Sequence, residues 1–211
     1  MGTDYDRHRL DEMAAISDLL DELPDEAFDH PSLCDGWRVR DVISHMCVGY
    51  TTPFPAMLAT LARYRMDVTR ASRHESIAYG SAHSPDELRR TYRSIRTGRV
   101  KRGISRVIPD REGLVDHVVH HSDISRPLGI ANEVPEERLV AALEAAPGIG
   151  GLLKARQRAA GKRWVATDVD WRWGDGPEVR GRGEAVLLAL GGRPAALDEL
   201  DGEGAALLRQ G

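Results

Sequence analysis

Four amphipathic periods, each cut off by proline or glycine, constrain this chain more than any other feature. Leu10, Met13, Ile16, Leu20 and Leu23 recur at three- and four-residue steps until Pro24, so the pattern predicts a helix over 4–23. Val39, Val42, Ile43, Met46 and Tyr50 mark a second helix, which Pro53 and Pro55 interrupt. Residues 66–83 are polar and read as a loop. Ser84-Pro85-Asp86-Glu87 then opens a third helix with a capping box, carrying Leu88, Tyr92 and Ile95, with Gly98 as its end. Pro109-Asp110 starts a fourth, with Leu114, Val115, Val118 and Val119 on its apolar side and Pro127 and Gly129 closing it. Four such helices fit a bundle.

The pattern changes after Gly129. Residues 135–146 and 149–160 read as Ala-rich helices split by Pro147-Gly148. Val165, Thr167, Val169, Trp171 and Trp173 alternate with Trp164, Ala166, Asp168, Asp170 and Arg172, which reads as a strand. Gly174-Asp175-Gly176-Pro177 is a turn, Glu178-Val179-Arg180 a return strand, and residues 183–190 a short helix. The expected fold is mainly α, a four-helix bundle over 1–130 followed by a helical linker and small α/β appendage over 131–211. Trp164, Trp171 and Trp173 are expected where that appendage meets the bundle.

A net charge of −4 and a pI near 6.1 argue against nucleic acid as a partner. The basic run Arg89, Arg90, Arg93, Arg96, Arg99, Lys101, Arg102 and Arg106 holds a single aromatic, Tyr92, and reads as a solvated helix face. No apolar run approaches the ~18–20 residues of a membrane span, so no membrane partner is expected. The polar N-terminus does not resemble a signal peptide. Cys34 and Cys47 form no CxxC and no disulfide framework, which fits a reducing cytoplasm.

The chemistry concentrates in Asp116-His117-Val118-Val119-His120-His121-Ser122-Asp123. Residues four apart share a helix face, so Asp116 and His120 can converge on one ion, and so can His117 and His121. Spacing does not choose between the pairs. A catalytic zinc takes three protein ligands and keeps one open position. His45, on the second helix, is the candidate third. Cys34 and Trp37 read as packing residues.

Two segments carry a family resemblance. Leu33-Cys34-Asp35-Gly36-Trp37-Arg38-Val39-Arg40-Asp41-Val42-Ile43-Ser44-His45 resembles the Gly-Trp-x-Val-x-Asp-(two apolar)-x-His signature of the DinB-like, mycothiol-dependent maleylpyruvate isomerase family. The stretch from Asp116 to Gly129 resembles that family's second signature, Glu-x-x-x-His-x-x-Asp before a helix-ending glycine. The resemblance implies a DinB-like bundle and a divalent metal, zinc above all, held by His45, Asp116 and His120. Asp stands here where the family usually has Glu, and Glu112 or His117 could substitute for it. The resemblance further implies mycothiol as thiol cosubstrate, with Arg193 the nearest match to a C-terminal cofactor-binding arginine. Asp123 is a candidate partner that orients a ligand imidazole. The expected activity is thiol transfer to, or isomerisation of, a small electrophilic or unsaturated acid. The alternatives are a metal-free binding or regulatory protein and a bundle metal hydrolase. A homodimer is compatible with such a bundle.

Overall fold

A computed structural model describes residues 2–97, 103–151 and 153–210. The chain is mainly helical. The bundle consists of α1 (Tyr5–Glu22), α2 (Val39–Thr51), α5 (Pro85–Ile95) and α6 (Asp110–Ser125), with α3 (Phe54–Arg63) and α4 (Val68–Ala82) inserted between α2 and α5. Pro24 and Pro53 flank helix ends as expected, and Pro55 sits in the first turn of α3. The capping box of α5 is present: Glu87 N–H donates to Ser84 Oγ at 3.3 Å, and the Ser84 amide donates to Glu87 Oε2 at 2.8 Å. Gly98, the expected end of α5, lies outside the described residues, as do Arg99, Lys101 and Arg102 of the basic run.

Helix α4 corrects the loop expected over 66–83. It lacks a stripe of large apolar residues because its buried positions are Ala71, Ser76 and Gly80. Small side chains let α4 lie close against α2, so contact replaces hydrophobic bulk. A Cβ at Gly80 would stand 2.8 Å from Asp41 Oδ1 and 3.0 Å from Ser44 Oγ. Gly80→Ala is therefore expected to destabilise the protein by about 1–3 kcal/mol, despite alanine's better helix propensity. Urea unfolding that shows a gain in stability instead would refute this account of the α2–α4 contact.

Arg90, Arg93 and Arg106 of the basic run are exposed, as a solvated face requires, and Arg89 is the correction. Arg89 is buried and donates to the carbonyls of Leu20 and Leu23 and to Asp25 and Asp86. Arg93 pairs with Asp21 and Arg96 with Asp18, so this face of α5 is bound to α1 by ion pairs.

In the C-terminal part, α7 (Glu136–Ala145) is followed by a 3-10 turn and only a short α8 (Ala155–Ala159). The helix expected over 149–160 is thus largely absent, since Gly148, Gly150 and Gly151 weaken its first half. The expected single strand is two strands. β1 (Arg163–Ala166) turns back into β2 (Arg172–Trp173), pairing Trp164 with Trp173 and Val165 with Arg172 in antiparallel register. β3 (Glu178–Gly181) runs parallel to β1, giving the order β2-β1-β3. α9 (Gly183–Leu190) forms where expected, and α10 (Glu203–Gln210) follows.

Two hydrophobic clusters result. One fills the bundle with Met13, Ile16, Leu20, Val42, Ile43 and Tyr92. The other joins Leu114, Val115, Val118 and Val119 of α6 to α7, α9 and Trp164. Helix α6 is therefore packed on both sides. From Gly113 to Ser125 every residue is buried except Asp116. Among the described residues no helix is long and apolar enough to cross a membrane.

Candidate metal centre

The single window in α6 opens onto α2. Donor atoms of His45, Asp116 and His120 all lie within 4.8 Å of one another. His120 Nε2 stands 3.5 Å from Asp116 Oδ1, and the His45 and His120 rings meet edge to face with centroids 5.1 Å apart. Asp116 is enclosed on its ring side, yet 43% of its side chain reaches solvent, which makes it the mouth of the site.

Each imidazole is held from behind. His45 Nδ1 shares a hydrogen bond with Ser72 Oγ at 3.1 Å, leaving Nε2 for the triad, and its ring leans on Trp37 at 5.5 Å. His120 Nδ1 donates to Asp123 Oδ2 at 2.8 Å. Asp123 is fully buried and also accepts from Arg193 Nε at 2.9 Å and from the Cys34 thiol at 3.1 Å. Arg193 donates in turn to the Gly191 carbonyl at 2.7 Å and approaches Cys34 Sγ at 3.3 Å. Arg193 thus stands beside the site, but its guanidinium is committed to protein partners.

The electrostatics follow from this crowding. Desolvation pushes the His45 imidazole down to about 4, reinforced by the neighbouring His120, so His45 is neutral near pH 7. Desolvation would lower His120 too, but Asp116 on one side and Asp123 on the other raise it well above the ordinary histidine value. Against a burial cost that would raise it, the Asp116 carboxyl is held below the usual carboxylate range by His120, then by His45 and His117. Asp123 is likewise depressed, because Arg193 and His120 outweigh burial.

The competing pair has other partners. His117 Nδ1 donates to the Gly113 carbonyl at 2.7 Å, and His121 Nδ1 bonds buried Glu12 at 2.6 Å, with Arg138 on the same carboxylate. Neither His117 nor Glu112 joins a donor cluster among the described residues. The shorter Asp116 reaches the cluster without either of them. A cavity of about 270 Å³ lies on the His121 side of α6 and includes none of the triad.

Sequence reasoning missed Cys34 and Ser72. Cys34 Sγ forms a second donor cluster with His120 and Asp123, although Arg193 lies against it. Its place in the first signature segment was the available signal. Ser72 was hidden by the misread loop.

Two imidazoles and one carboxylate, converging at a partly open position, are a donor set suited to a divalent ion that keeps one coordination site free. Residues 9–102 match the family model described as the mycothiol maleylpyruvate isomerase N-terminal domain. The full fold is similar to a crystal structure of the mycothiol-dependent maleylpyruvate isomerase and to one of its histidine-to-alanine mutant. Each is 18% identical, with a TM-score of 0.62, covering 97% of this chain and 94% of the other. No curated protein matches significantly. Residues 9–102 therefore belong to the family of mycothiol maleylpyruvate isomerase N-terminal domains.

Proposed function

We propose that the chain is a divalent-metal enzyme that uses mycothiol to add a thiol to a small electrophilic or unsaturated acid in the cytoplasm, releasing either a conjugate or an isomer. In this reading residues 1–130 hold the metal and 131–211 complete the site. The observation that carries it is the convergence of His45, Asp116 and His120 at one open position in a chain of this family.

When bound, a divalent ion, with zinc the best fit to the donors, supplies Lewis acidity and favours the thiolate at neutral pH. The chain's own residues prepare that position. His45 presents a neutral nitrogen, and Ser72 and Trp37 fix its ring. Asp123, itself held by Arg193, orients His120 so that Nε2 faces Asp116. The solvent-open side of Asp116 is where thiol and acceptor enter.

The test is turnover by zinc-loaded protein supplied with mycothiol and maleylpyruvate or a fumarate-type acceptor, following acceptor loss and product identity. The expected result is consumption that requires both zinc and mycothiol. An S-conjugate identifies a transferase and a rearranged acid an isomerase. Hydrolysis without thiol would replace the reading with a metal hydrolase, and zinc-loaded protein without turnover would leave a binding protein.

A further inference from the structure

We propose that the outer face of α3 docks the protein onto an anionic lipid surface. Helix α3 buries none of its residues. Its partly covered positions, Met57, Thr60 and Leu61, fall on the side that packs against α4, where Thr60 Oγ1 donates to Glu75. The rest of its surface carries Phe54, Pro55, Ala56, Leu58, Ala59 and Ala62, all exposed and apolar, with exposed Arg63 at its C-terminal end. Phe54 and Leu58 each leave 46% of their surface in water, and at the α3–α4 elbow Met66 leaves 62%. The 103–108 segment is tied to the end of α2 by Gly103 N–H to the Tyr50 carbonyl at 3.3 Å. It carries exposed Val107 and Ile108. An exposed apolar helix face of this kind marks a contact site.

Charge selects the occupant. Residues 54–75 hold four arginines against two acids, Asp67 and Glu75, in a chain of net charge −4. Arginines elsewhere on the bundle, such as Arg7, Arg38, Arg40 and Arg93, pair with carboxylates. Arg63, Arg65 and Arg70 have none among the described residues; Arg63 and Arg70 only flank the Tyr64 ring. A second copy laid face to face would bring two sets of these guanidinium groups together, eight arginines of 54–75 against only four carboxylates, Asp67 and Glu75 of each copy. An anionic headgroup layer neutralises the arginines while its acyl boundary accepts Phe54 and Leu58, the usual division of labour in an interfacial amphipathic helix. Docking here is peripheral and independent of any chemistry at His45.

The test is co-sedimentation of the full chain with vesicles of phosphatidylcholine alone and of phosphatidylcholine mixed equally with phosphatidylglycerol. Binding to the mixed vesicles only, weakening with salt, is expected. Leu58→Glu should reduce partitioning at least about tenfold. Each of Arg63→Gln and Arg65→Gln should reduce it about fivefold. Because these side chains are exposed, circular dichroism and zinc content should match the wild type, which separates lost docking from lost folding. No binding to mixed vesicles, or binding that survives Leu58→Glu, overturns the proposal. So does a solution dimer, seen by light scattering, that Leu58→Glu dissociates, because the face would then belong to a second copy.

Discussion

Purified wild-type protein is expected to carry close to one divalent ion per chain, and His45→Ala and His120→Ala each to bind it at least about 100-fold more weakly. Removing either imidazole leaves two donors at an open site, too few to compete with water and buffer. The pH dependence follows from the same geometry. His45, pushed down to about 4, is already deprotonated at neutral pH. His120, raised well above the ordinary histidine value by Asp116 and Asp123, must release its proton before Nε2 can coordinate. Zinc affinity should therefore rise with pH until His120 deprotonates, with proton release measurable by calorimetry in buffers of different ionisation enthalpy. Elemental analysis that finds metal retained in both alanine variants would remove these residues as ligands. A wild type that takes up no zinc on incubation would favour the metal-free binding protein.

Asp123→Ala should be the most destabilising single change around the site, costing about 3–5 kcal/mol in the metal-free protein. The carboxylate is fully buried and accepts from Arg193, His120 and Cys34, which come from three separate stretches of chain. Its loss strands the Arg193 guanidinium, only 13% of whose side chain is exposed, with no counter-charge in a poorly solvated place. A fall in Tm of roughly 6–20 °C corresponds to that cost in a chain of this size.

The acid limb gives an independent check. Asp123 has a folded-state value below its unfolded value of about 3.9. Its contribution is therefore complete above that unfolded value and is lost as pH falls through the lowered folded one. Asp123→Asn should lose stability at neutral pH and show a shallower acid limb than wild type. Equal Tm values for wild type and Asp123→Ala would show that Arg193 finds other partners.

Much of the fold was legible from local signals. Proline and glycine stops located α1, α2 and α6, the Ser84–Glu87 box opened α5, and the run of apolar residues over 183–190 gave α9. Those signals are local because capping and backbone restriction act within a few residues. The misreadings have a common origin in contacts distant along the chain. Helix α4 is stabilised by the close approach of Ala71, Ser76 and Gly80 to α2, which leaves no apolar period to find. The alternation over 164–173 concealed a reversal, because β1 and β2 share the same two-residue period on either side of the turn.

The candidate site divides in the same way. The residues themselves supplied Asp116, His120 and His45 as candidates, since the i,i+4 spacing is a property of the helix. They could not show which side of α6 faces α2, because Asp116–His120 and His117–His121 are equally well spaced. That rotation is set by burial on both sides of α6, against the bundle and against α7 and α9. It turns Asp116 to the one opening and sends His121 to Glu12. The meeting of Cys34, Asp123 and Arg193 depends on the same packing, because residues up to 159 positions apart are joined there only after both cores have formed.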